Sequence, residues 1–453
     1  MDASTDGPAA QKPLEGVYAF SSPSASITLH QGLLGGIPKA DRHAGVVELN
    51  FARGPYLIWR IEGDRDDLYG PVEPFTLSFQ RNGQAWRSEA IRSEIDWGIL
   101  NHAEYSTSQP LGRVIAHWVN LPEIHGNEVL TATSPGGSRS WWTGRFSFSA
   151  AGWDITIDRR QDFSDIIAAA KREHVYAITH VMELRRSDGK PFSADAAVVV
   201  LENIRVATSF ALGRWAAPML PVGFSEAGTV HWESWSSPIV EPLQKTGYPV
   251  LYQYSYKDVS KFLTTALEAL EIDGTNGPLR FQMISAVLSN QGGFTEQRIS
   301  TAFTAIENLA WVVLVLRGHV SQQDFESRAW TGTRKLGKLL SLAKISPTLH
   351  GLGLPALESF AGRGRSTRNG PAALVKVRNC LVHPKSPRDE VYHIPGLMTD
   401  AWLLSRCYLN MLVLYAVGYD GEMQVQLPMD GWLGETRLVP WATVRPLPDQ
   451  GAS

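Results

Sequence analysis

Cysteine is nearly absent: Cys380 and Cys407 are the two in 453 residues. That excludes a disulfide-stapled fold and a cysteine-built zinc site. Since both lie in apolar segments that read as helix, they are expected to be buried thiols. Long apolar runs are missing too. The longest, Leu309 to Leu316, falls well short of the roughly 20 residues that span a bilayer, and the opening MDASTDGPAAQKP lacks the apolar core of a secretory signal. A cytoplasmic protein with no membrane partner is the expectation. Nor does one charge dominate: 42 Lys and Arg against 45 Asp and Glu leave a net charge of −3, which argues against a chain that coats nucleic acid indiscriminately.

Apolar material, in contrast, is plentiful. It makes up 43% of the residues and includes 15 Trp. The chain is longer than a single growing core allows, so two or three domains are expected. The fold class that follows is α+β and multidomain: a β-rich sandwich or barrel-like N-terminal domain, then an all-α bundle, then a small terminal β-hairpin. Up to about residue 190, short runs such as Gly16 to Phe20, Ser26 to His30, Val46 to Phe51, Tyr56 to Ile61 and Phe75 to Phe79 are rich in β-branched and aromatic residues and are punctuated by Gly, Pro, Asn and Asp. The SAAG segment between Phe146 to Phe148 and Trp153 to Ile157 predicts a hairpin, with a short helix at Asp162 to Arg172 and a buried one starting at the N-cap Ser193.

From about Tyr256 the period becomes helical, with Val259, Phe262, Leu263, Ala266, Leu267 and Leu270 at steps of three and four. Further helices are predicted at Phe281 to Leu288, Glu296 to Arg317, Arg328 to Leu342, Gly370 to Val382 and Leu397 to Val417, and two strand-like runs around MDGWLG predict the hairpin. The domains are thus a disordered stretch at 1–14, a β-rich sensor or regulatory domain at 15–240, a bundle at 255–425, and a hairpin with a loose tail at 426–453.

Charge is unevenly placed within the bundle. No Asp or Glu occurs from Ser359 through Arg388, while Arg363, Arg365, Arg368, Lys376, Arg378, Lys385 and Arg388 are all basic. Inside this stretch lies VKVRNCLVHP. Leu374, Val377 and Leu381 mark a buried helical stripe, Asn369-Gly370-Pro371 offers a cap and start, and Pro384 places His383 at or past the helix end. His383 is then free to approach Arg378 and Asn379. These types suit a phosphodiester: Arg presents a permanent fork to phosphate oxygens, His moves a proton near neutral pH, and Asn positions a hydroxyl or phosphate.

Arg378, Asn379 and His383 match, position by position, the RNxxxH motif of the HEPN ribonuclease family, which the bundle resembles. The segment FTEQRISTAFTAIENLAWVVL is similar to an early HEPN helix, with Glu307 as its supporting carboxylate, and LYAVGYDGEMQ is similar to the last helix of ApeA-type members, which pair a β-rich region with this module. The resemblance covers residues 255 to 425 and implies metal-independent endoribonuclease activity from a homodimer, with no cofactor. In that mechanism His383 is the general base or acid, the 2′-hydroxyl attacks the adjacent phosphorus, and Arg378 stabilises the transition state. Glu307 orients Arg378, or serves only as its structural partner in the bundle. Arg363, Arg365, Arg368, Lys376, Lys385 and Arg388 are the candidate RNA-binding residues. The resemblance further implies an antiphage or toxin role, with a phage or host protein as trigger at the β domain.

Other readings stay open. The bundle is alternatively a non-catalytic dimerisation or RNA- and nucleotide-binding module, and the Trp content suits a carbohydrate-binding β-sandwich. The loop AGRGRSTRNG lacks the ending of a P-loop. His174 and His180, six apart, and Asp154 and Asp158, four apart, are each expected on one strand face, but neither pair completes a metal site.

Overall fold

A computed structural model describes residues 11–442 except 21, 38–41, 53, 63–72, 95, 134–135, 244–247, 292, 363–368, 384–389, 430 and 433. The chain divides into two compact units. The first takes residues 1–205 and 215–246, the second 206–214 and 247–453.

The first unit is β-rich and barrel-like. Strands β1 (Ile27–Gly35), β2 (Arg42–Asn50), β3 (Tyr56–Ile61), β4 (Phe75–Arg81), β5 (Gln84–Arg92) and β6 (Trp97–Ser106) lie in the order β3-β2-β1-β4-β5-β6, and pairing of β3 with β6 closes the barrel. Alternation decides what fills it. In β3 the exposed Tyr56 and Arg60 alternate with buried Leu57, Trp59 and Ile61, and in β5 the buried Trp86, Ser88 and Ala90 alternate with exposed neighbours. Closure also removes the sheet edge that a flat six-stranded sheet would leave unpaired.

The sheet continues past β6 through β13 (Val230–Ser236), β12 (Ala217–Phe224), β7 (Arg113–Val119), β11 (Ile178–Arg186), β10 (Trp153–Arg159), β9 (Arg139–Ala150) and β8 (Glu128–Thr133), each pair antiparallel. The expected SAAG hairpin is the β9–β10 turn, with Ala151 and Gly152 at φ 51° and 77°. Helix α1 (Phe163–Glu173) packs Ile166 and Ala170 against Val175, Ala177 and Leu243. Helix α2 (Ala194–Leu212) starts where Ser193 Oγ accepts the Ala196 N–H at 3.2 Å.

The second unit is helical. Helices α3 (Tyr256–Leu270), α4 (Asn276–Asn290), α5 (Thr295–Ala310), α6 (Gln322–Glu326), α7 (Gly332–Leu342), α8 (Pro355–Gly362), α9 (Gly370–Val382) and α10 (Leu397–Val417) are followed by a hairpin of β14 (Glu422–Gln424) and β15 (Thr436–Leu438). The α3 stripe read from its spacing is buried at every named position, and Ser255 caps it. Almost the whole length of α10 is buried, packed on α3, α4, α5, α7, α8 and α9. Asp258 ties the hairpin to α3 by accepting from Tyr419 Oη at 3.2 Å and from the Glu422 N–H at 3.0 Å. Helix α5 runs on as a π-helical turn, Trp311–Leu316. Together Thr295–Leu316 is long and apolar enough, by length and composition, to cross a membrane, and 56% of its most apolar window is buried within the protein.

Several local expectations are corrected. Gly16 to Phe20 forms no strand, because its apolar residues pack on the barrel core without a partner strand. Residues 11–14, expected within a disordered terminus, are held: Gln11 bridges Leu130, and the Leu14 N–H donates to Asp158 at 2.7 Å. The helix expected from Arg328 begins at Gly332, where the Thr331 side chain caps it, and the helix expected from Phe281 begins earlier, at Asn276. Helices α6 and α8 fall in stretches read as breaks. The hairpin opens at Glu422, inside the span assigned to the bundle. Cys407 is buried, whereas Cys380 is half-buried. His174 is a left-handed cap of α1 and His180 lies on β11, so the two share no strand face.

Candidate functional site

Helix α9 begins where Asn369 Oδ1 accepts the Ala372 N–H at 3.4 Å, with Pro371 in the first turn. Ala373, Leu374 and Val377 are buried, so the helix is fixed on one face and presents Arg378 beside α5. Arg378 Nη2 donates to Glu307 Oε2 at 3.3 Å, and Nη1 donates to Asn379 Oδ1 at 3.3 Å. The pair is open to solvent, with side-chain exposures of 24% for Arg378 and 47% for Glu307. Three of the four residues expected to form the site therefore meet.

His383 caps the helix with φ −132° and ψ 67°, and its N–H donates to the Asn379 carbonyl at 2.8 Å. This matches its expected place at the helix end; Pro384, the reason given for it, lies outside the described residues. The imidazole is exposed and has no hydrogen bond or ion pair with a described residue. Convergence with Arg378 and Asn379 is thus of backbone position rather than of side-chain contact.

Of the expected RNA-binding residues, Arg363, Arg365, Arg368, Lys385 and Arg388, and with them the basic loop, lie outside the described residues. Lys376 is exposed, with its ammonium 4.3 Å from the Phe360 ring centre on α8. It stands two residues from Arg378, about 200° around the helix, so the two do not form one cationic face.

Sequence reasoning missed the groove next to this site. A surface depression of about 480 Å³ is lined by Glu296, Gln297, Ser300, Thr301, Leu381 and Tyr392. The signal was present in FTEQRISTAFTAIE: Gln297, Ser300, Thr304 and Glu307 recur at helical spacing and form the polar side of a helix whose apolar side drew the attention. Because Glu307 pairs with Arg378 and the Thr301 end lies with Leu381, α5 and α9 run antiparallel here, and the groove extends toward the His383 end.

In the first unit, the Trp residues differ in exposure. Trp153, Trp232 and Trp235 are buried, whereas Trp141 is 58% exposed. Asp158 is buried against Arg145 at 2.7 Å, and Asp154 accepts from Ser149 and Ser187. Among the described residues no group of three or more His, Cys, Asp or Glu could hold a metal ion.

Residues 106–246 match the model of the YopA central domain, and residues 285–438 match that of the YopA C-terminal domain. Both models describe YopA proteins. The chain is also similar to the SPbeta prophage-derived uncharacterized protein YopA of Bacillus subtilis (strain 168), 25% identical over 315 residues that cover 66% of this chain and 68% of the relative. No solved structure matches. The YopA central match ends at the boundary between the two units, and Glu307, Lys376, Arg378, Asn379 and His383 all fall within the YopA C-terminal match.

Proposed function

We propose that the helical unit is a metal-independent endoribonuclease of HEPN type. The observation that supports this reading best is the contact of Arg378 with both Glu307 and Asn379 one turn before His383. Glu307 holds the guanidinium in place without burying it, which leaves the cation available to a phosphodiester. An exposed ion pair contributes only about 0–1 kcal/mol, so phosphate displaces it at little cost. His383 takes the proton from the 2′-hydroxyl as it attacks phosphorus, Arg378 stabilises the charge that builds on the phosphoryl oxygens, and the P–O5′ bond breaks, leaving a 2′,3′-cyclic phosphate on one product and a 5′-hydroxyl, protonated by water, on the other. DNA has no such hydroxyl and is not cut.

An exposed imidazole with no hydrogen bond or ion pair among the described residues fits a site completed by dimerisation, in which two copies bring their motifs together. On this reading the protein is a cytoplasmic effector of antiphage defence or toxin type, with the β-rich unit as its regulator and a phage or host protein as trigger. The prophage origin of the Bacillus relative agrees with a phage–host setting. A second reading, a binding-only bundle, is favoured by the neutralisation of Arg378 by Glu307 and by the absence, among the described residues, of a hydrogen bond or ion pair to the His383 imidazole.

The deciding experiment is cleavage of total RNA, with a DNA control, in EDTA. Cleavage by the intact protein with cyclic-phosphate ends, and its loss in both Arg378→Ala and His383→Ala, supports the nuclease. Cleavage that requires added metal, or that survives both substitutions, rejects it.

A further inference from the structure

The first unit contains a second cavity, of about 330 Å³, between the tip of the β4–β5 hairpin, the end of β6 and the start of β13. That volume lies at the small end of ligand pockets, the size for one ring system and little more. One wall is a stack of aromatic rings. Trp235 and Trp86 lie 4.2 Å apart at 24°, and Trp86 and Tyr105 lie 6.0 Å apart at 25°. The stack ends at Tyr105, which is only half-buried, and among the described residues no further ring covers it.

The floor is a closed charge pair. Glu233, 4% exposed, accepts from Arg81, from Tyr18 Oη and from Trp235 Nε1, and Arg81 Nε donates to the Leu29 carbonyl at 2.8 Å. Cation and anion cancel, so the cavity offers no net charge to a ligand. The remaining polar wall holds the carboxamides of Asn82 and Gln84, the side chains of Thr107 and Thr229, and His231, whose Nδ1 is buried with no hydrogen-bond partner among the described residues. Asn82 and Gly83, at φ 52° and 76°, form the tight turn that holds the two carboxamides at the hairpin tip.

We propose that this cavity binds a nucleoside. A heteroaromatic ring adds the missing layer on Tyr105, as bases do on exposed aromatic side chains. Paired donor and acceptor edges of a base match the adjacent donor and acceptor of a carboxamide, which Gln84 and Asn82 supply. Thr229 and His231 are left for the sugar hydroxyls, since the Thr107 hydroxyl already donates to the His231 carbonyl and accepts from the Gln109 N–H. The arginine of the lining is already paired with Glu233, which disfavours a polyphosphate, and two neighbouring carboxamides favour a base edge over a plain hexose. This inference does not depend on the ribonuclease reading.

The test is calorimetric titration of the full chain with adenosine, guanosine, cytidine and uridine, with glucose and galactose as sugar controls. Gln84→Ala changes an exposed residue and Tyr105→Leu removes the stacking face; thermal melts check that both variants stay folded. Saturable binding of at least one nucleoside, weakened roughly tenfold by each substitution in folded protein, is the expected result. No saturable nucleoside binding, binding of hexose alone, or nucleoside binding that both variants retain overturns the proposal.

Discussion

The two units each place a similarly exposed arginine against a glutamate, and the difference lies in the burial and further partners of the glutamate. In the β-rich unit, Arg81 and Glu233 have side-chain exposures of 21% and 6%, lie beneath a stack of tryptophans, and have their remaining bonds filled by Tyr18, Trp235 and Leu29. In the helical unit, Arg378 and Glu307 lie on the surface at 24% and 47% and share only Asn379. A buried pair of this kind is rigid and costly to break, while an exposed one is weak and exchangeable. The first shapes a cavity; the second, on the proposed ribonuclease reading, keeps a cation in reserve for an incoming anion.

That contrast can be broken most directly at His383. His383→Ala is expected to lower RNA cleavage about 10²–10⁴-fold, the usual share of general acid–base catalysis, while leaving the melting temperature unchanged because the side chain is exposed. A matching loss of stability would instead mark His383 as structural. The reverse holds at Trp235, which is fully buried and stacked against both Trp86 and Phe79. Trp235→Ala should cost the first unit about 3–5 kcal/mol, read in its unfolding transition by denaturant titration.

Acid sharpens the comparison further. His117 and His180 are both buried in the β-rich unit, and burial is the main cause of their low pKa values, about 4 and about 3, against an ordinary 6.5. In the folded protein they stay neutral while in the unfolded chain they take up protons below about pH 6.5. Their contribution is therefore fully present above that pH and is lost as pH falls toward their folded values, by about 2 kcal/mol each at pH 5. Calorimetry at pH 7 and pH 5 should show the first unit weakening, and His180→Gln should shrink the difference; an equal pH response from the variant would contradict this account. The smallest effect is expected at Asn369. Asn369→Ala removes the cap of α9 and should cost about 1 kcal/mol in the second unit, measured by its melting transition.

Legibility followed the range of the interactions. Helices α3, α9 and α10 were readable at their starts because each has a strong local signal: a cap or glycine at the start and apolar residues at helical spacing. The β9–β10 hairpin was equally local, since it needs only a two-residue turn. Gly16 to Phe20 misled because strand-like composition reports packing on a sheet, which Tyr18 and Phe20 have, and not strand pairing, which the segment lacks. At the candidate site, helix-end position was legible from the cap and Pro384, yet the free imidazole of His383 and the separation of Lys376 from Arg378 were not, because contacts across helices depend on rotation and neighbours.

By itself, then, the sequence determined the division into a β-rich and a helical part, the places of most helices, and the residues Arg378, Asn379 and His383 as one end of one helix. Those properties follow from near neighbours in the chain, where periodicity and capping act. The closure of β3 on β6, the meeting of Glu307 with Arg378 across 71 positions, and the joining of Arg81, Tyr105 and Glu233 around one cavity were decided only in three dimensions. Strand pairing and helix packing bring together residues far apart in the chain, and no local pattern encodes which partner each will meet.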